Sequence, residues 1–108
     1  MQVEVYSDMV CPWCRIGKKN LVDARKVIKA RHGVEIAVNY KAFQLDPTVP
    51  PEGVSFLRHM ERMGSPERVR SLLNHVTEVG ESVGLTFRYD LIEKMPNTLL
   101  AHRVTTFL

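Results

Sequence analysis

A chain of 108 residues, 44% hydrophobic and 25% charged, fits one small soluble domain with a modest core. Its net charge is +3, with basic residues spread along the chain, which argues against disorder, nucleic-acid binding or an anionic membrane surface. No apolar run approaches the roughly 18 residues of a membrane span.

Val3 and Val5 alternate with Gln2 and Glu4, the period of a strand, up to the turn-prone Ser7-Asp8. No secretory signal precedes this pattern, so a cytoplasmic setting is expected unless a leader has been removed. From Pro12 the period becomes helical. Trp13, Ile16, Leu21, Ala24, Val27 and Ile28 share one side, and lysines and arginines fill much of the rest. Pro12 suits a first helical turn, and Lys29, Arg31 and His32 before Gly33 suit a last one.

Val34, Ile36, Val38 and Tyr40 alternate with Glu35, Ala37, Asn39 and Lys41, predicting a second strand. Strand, long helix, strand is a βαβ unit, which predicts parallel strands with a right-handed crossover. The stretch 46–53 holds three prolines and a glycine, and reads as an extended linker. Phe56, Leu57, Met60 and Met63 form a short amphipathic helix ending at Gly64. Ser65-Pro66-Glu67 caps the next one, whose stripe is Val69, Leu72, Leu73, Val76, Val79 and Val83. Thr86 to Tyr89 reads as a strand stub or a loop. Asn97 or Thr98 caps a last helix carrying Leu99, Leu100, Val104, Phe107 and Leu108. This helix has no stop signal, so the chain is expected to be truncated.

Both cysteines sit in one motif, Cys11-Pro12-Trp13-Cys14. Such a pair cannot staple distant segments, and a secreted disulfide scaffold would hold more cysteine. A thiol is nucleophilic as thiolate, and a helix start favours negative charge. An unperturbed thiol near pKa ~8.5 is only about 3% ionised at neutral pH. Cys11, just before the helix, is therefore expected to titrate low and to attack, with Cys14 one turn on as the resolving thiol. Two other readings stay open. Structural zinc needs four ligands, and His32, His59, His75 and His102 are too scattered to complete a site with one C-x-x-C. An inert, buried pair is the other.

Tyr6 through Cys14 followed by Ile16-Gly17-Lys18 resembles the opening of DsbA-like proteins, specifically the FrnE-type branch. Phe43 to Pro47, Pro51 to Gly53, Gly84 to Phe87, Pro96 to Thr98 and Ala101 to Arg103 resemble that branch too. The resemblance implies an α/β thioredoxin-like fold with an inserted all-helical domain. Residues 1–46 would be the N-terminal βαβ half, and 47–108 an incomplete helical insertion. It implies a protein disulfide oxidoreductase with redox roles at Cys11 and Cys14. Protein or small-molecule disulfides would be the substrates, and glutathione a possible reductant. No metal and no cofactor beyond the dithiol are expected.

Family members continue to a cis-proline loop and further strands, which puts the activity of this stretch alone in question. Glutathione-dependent isomerases and kappa-class transferases lie in the same family neighbourhood and are the alternative, with a non-catalytic thiol switch as a third class. Around the dithiol, Pro12 and Trp13 are candidates for tuning or substrate contact, Trp13 equally for packing the loop. Asp8 is a candidate for electrostatic influence or for an Asx turn. Asn97, Thr98 and His102 are candidates for the cleft, the first two also as helix caps. Met60, Met63 and Met95 could form an adaptable binding surface or simply core. With two full strands and bare apolar faces, the chain is expected to associate with itself rather than stay a stable monomer.

Overall fold

Strand β1 (Gln2–Ser7), helix α1 (Pro12–His32) and strand β2 (Ala37–Ala42) form the frame of the computed structural model, which describes residues 1–107. β1 and β2 pair in parallel, from Gln2 opposite Ala37 to Ser7 opposite Ala42, the arrangement a helical crossover allows. Helix α1 starts and stops where its sequence says. Cys11 is the N-cap in extended conformation, Pro12 stands in the first turn, and Lys29, Arg31 and His32 occupy the last. Gly33 ends it at φ 66, its N–H reaching the carbonyl of Lys29, a left-handed turn that glycine adopts without strain.

The second strand is displaced from its expected place. Val34 is exposed and Ile36 is buried just ahead of the strand, which runs on to Ala42. The partner sets this. β1 begins at Gln2, so the first residue it can pair is Ala37, whose N–H bonds the carbonyl of Met1 at 3.0 Å. Residues 34–36 alternate correctly but have no strand beside them.

The remaining elements are β3 (Val54–Ser55), α2 (Phe56–Met60) extended by a tight turn at Glu61–Met63, α3 (Pro66–Ser82), a single turn at Tyr89–Leu91, β4 (Lys94–Met95) and α4 (Leu99–Phe107). Helix α3 is capped as expected, the Ser65 hydroxyl accepting the Arg68 N–H. Gly80 lies inside this helix because Phe87 folds onto it; a Cβ there would sit 2.5 Å from the Phe87 ring. The antiparallel pair β3–β4 was not expected. Two residues per strand carry no readable period. Nor is 46–53 a plain linker: Val49 is buried with Phe56, Met60 and Val76. The carboxamide of Asn97 donates to the Val49 carbonyl. Leu108, expected in the last helix, lies outside the described residues. No helix among those described is long and apolar enough to cross a membrane.

Candidate active site

The loop from Asp8 to Cys11 turns the chain from β1 into α1, and the Cys11 N–H closes it on the Asp8 carbonyl at 3.2 Å. Because Cys11 is the N-cap, its sulfur faces the free backbone donors of the first turn. The Cys11 Sγ accepts the N–H of Cys14 at 3.2 Å. Both cysteines are free thiols and partly buried.

The expectation of a low Cys11 titration does not hold. Burial pushes the Cys11 thiol up, and the hydrogen bond and charge of Cys14 push the same way. The N–H groups of Cys14 and Trp13 pull it down but do not offset this. The sequence shows the helix start and not the walls around it. Alkylation of the reduced chain is therefore expected to keep accelerating past the ordinary thiol value of 9.0. A rate that levels off below about pH 7 would restore the helix-start expectation.

Beneath the dithiol lies a buried polar knot. Asp8 is 4% exposed, and its carboxylate gathers three separate parts of the chain. Oδ1 accepts the N–H of Met9 at 2.8 Å, Oδ2 accepts the N–H of Leu45 at 2.9 Å, and His102 Nε2 lies 3.0 Å from Oδ1. Thr98 adds a side-chain hydrogen bond. Burial pushes the carboxyl up, but the bonds from Leu45, Thr98, His102 and Met9 together hold it below its ordinary value. Asp8 is thus an ion that accepts only, so Nε2 of His102 must carry the proton they share. The Asx turn weighed for Asp8 is a small part of what it does. His102, at one face of α4, and Asp8, 94 residues earlier, were both legible as candidates, whereas their pairing was not.

An apolar cavity of about 360 Å³ opens beside Cys11. Val49, Phe56, Met60, Met63 and Val76 line it, with Trp13 and His75 at one side. Trp13 is half exposed, its ring 5.7 Å from that of His75 on α3. It therefore packs the loop against α3 while keeping a free face, so both sequence readings of Trp13 apply. Asn97 is a cap and more: its Oδ1 accepts from Leu99 N–H at 2.9 Å and from the Gln44 carboxamide at 3.1 Å. It joins the end of β2 to the start of α4 rather than facing the thiols. Tyr89, missed in the sequence, stacks on Phe56 at 5.9 Å and feels the charge of Cys11. Its neighbours in sequence, Arg88 and Asp90, give no sign of a partner more than thirty residues away. Among the described residues no group of three or more His, Cys, Asp or Glu is placed to hold a metal ion.

A dithiol at a strand-to-helix turn, over a parallel βαβ unit, defines a thioredoxin-fold protein of the DsbA kind. Residues 2–108 match the DSBA-like thioredoxin domain, and the chain belongs to that family. It is similar to "Uncharacterized protein YwbO" of Bacillus subtilis (strain 168), 25% identical over 101 residues, covering 94% of this chain and 44% of that protein. It also resembles the crystal structure of the "probable DsbA oxidoreductase SCO1869 from Streptomyces coelicolor". There the TM-score is 0.84 at 25% identity, over 99% of this chain and 46% of the other. The chain thus spans less than half the length of either relative.

Proposed function

We propose that the protein is a thiol–disulfide oxidoreductase in which Cys11 exchanges with substrate and Cys14 resolves. The observation that carries this is the placement of the pair. Cys11 caps α1 with its sulfur bonded to the Cys14 N–H, and the thiol opens onto an apolar cavity that can receive a substrate chain. In the reducing direction, Cys11 thiolate attacks a substrate disulfide, forming a mixed disulfide and releasing one substrate thiolate. Cys14 thiolate then attacks the Cys11 sulfur, closing the Cys11–Cys14 bond and releasing the second. The substrate gains two electrons and the dithiol loses two; the oxidising direction is the reverse.

Protein or small-molecule disulfides are the substrates of this reading, with glutathione as a reductant of the oxidised pair. Membership of the FrnE-type branch is part of the same proposal, supported by the segments around Cys11, Phe43, Gly84 and Pro96. A cytoplasmic setting is supported by a cysteine content of two, both in one motif. Self-association through the bare apolar faces belongs to the proposal as well, supported by exposed Tyr6, Phe43 and Leu45.

Intact mass after treatment with oxidised glutathione tests the reading. Loss of two hydrogens is expected, with no lasting adduct. A stable glutathione adduct at Cys11 would favour the glutathione-dependent isomerase or transferase chemistry instead.

A further inference from the structure

Cys14 must lose its proton before it can resolve, and nothing in the exchange so far takes that proton. Asp8, Cys11, Cys14 and His102 line one open cleft of about 1060 Å³ on the sheet side of α1. His102 is 9% exposed and Asp8 4%. With Nε2–H given to the Asp8 carboxylate, Nδ1 of His102 keeps its lone pair, and among the described residues it has no hydrogen-bond donor. An imidazole held by a carboxylate on one nitrogen is oriented to take a proton on the other.

We propose that the Asp8–His102 pair is the proton acceptor for the resolving step of the dithiol exchange. The inference rests on the oxidoreductase reading above. In the step, the Cys14 S–H gives its proton, relayed by water in the cleft that both residues line, to Nδ1 of His102. The freed electron pair on Cys14 forms the bond to Cys11, and the Cys11–substrate bond breaks with its electrons on the departing sulfur. The imidazolium, stabilised by Asp8, later returns the proton to that thiolate. In the oxidising direction the same pair protonates Cys14 as it leaves.

The other charges around the cleft suit this role. Arg15 and Lys18 from α1 and Lys41 from β2 line its walls, together with Tyr6 and Tyr40. The three cations add no competing base. On the far side of Asp8, in the apolar cavity, His59 and Asp46 lie 3.8 Å apart and form their own pair.

The test separates this step from the first. A chromogenic nitrobenzoate disulfide reacts with the reduced 108-residue chain in two phases, each releasing one coloured thiolate. The first depends on reagent concentration and reports Cys11; the second does not and reports Cys14. An ordinary thiol is ~3% ionised at pH 7, so a base that removes the proton during attack can raise the rate by up to ~30-fold. His102→Gln is expected to slow the second phase at pH 7 by a factor of that order, leave the first within a few-fold, and lose the difference by about pH 10. Added imidazole is expected to restore part of the rate in the variant. An unchanged second phase in a folded His102→Gln would overturn the proposal. If that variant does not fold, the wild-type second phase decides: a rate still climbing tenfold per pH unit from pH 6 to 9 would equally overturn it. Failure of both phases in the wild type would instead sink the oxidoreductase reading.

Discussion

Cys11→Ser is expected to abolish disulfide exchange altogether, whereas Cys14→Ser is expected to stop it halfway. The difference follows from which sulfur opens onto the apolar cavity. Cys11 lines that cavity and Cys14 does not. A serine hydroxyl at position 11 cannot replace the thiolate, and removal of a nucleophile costs about 10³-fold or more. The Cys11→Ser chain should therefore reduce a disulfide no faster than buffer. In Cys14→Ser the first attack survives but nothing resolves it, so substrate stays bound through Cys11 as a mixed disulfide. Non-reducing electrophoresis and intact mass with a cysteine-containing peptide disulfide would show the adduct in Cys14→Ser and none in Cys11→Ser. The reverse pattern would exchange the two roles.

What the sequence shows and what it hides divide along range. The strand before Ser7, the caps of α1 at Cys11 and Gly33, and the Ser65-Pro66-Glu67 start of α3 are local signals, and each stands where its residues put it. The start of β2 shifts because pairing with β1, not alternation, decides which residues form a strand. Val49 enters the core from a proline-rich segment because Asn97, far along the chain, holds its carbonyl. The titration of Cys11 goes the same way. The helix start is visible in one motif, while burial outweighs it, and the cavity beside Cys11 is walled by α2, α3 and the Tyr89 turn. A site made of one motif is legible, but the environment around it is assembled from three distant segments.

The knot at Asp8 turns that long-range assembly into a measurable quantity. Among the described residues its carboxylate is the one group that bonds the loop before Cys11, the segment after β2 and helix α4 together. Asp8→Ala would leave the Leu45 N–H and the His102 ring buried without their acceptor, at a cost of about 3 kcal/mol. For a chain of this length that corresponds to a fall in melting temperature on the order of 10–20 °C. Asp8→Asn keeps an acceptor oxygen and the shape, and should lose about half as much. The pH dependence has a definite sign. The folded carboxyl titrates below its ordinary value of 3.8, so the unfolded chain binds the proton first as acid is added. The contribution of Asp8 is thus complete above that ordinary value and is lost as pH falls through the folded one. Urea titrations between about pH 2.5 and 6 should show wild-type stability dropping at the acid end and a shallower drop in Asp8→Asn. Equal slopes in the two proteins, or an Asp8→Ala variant that melts with the wild type, would mean that the loop before Cys11 is held by packing alone.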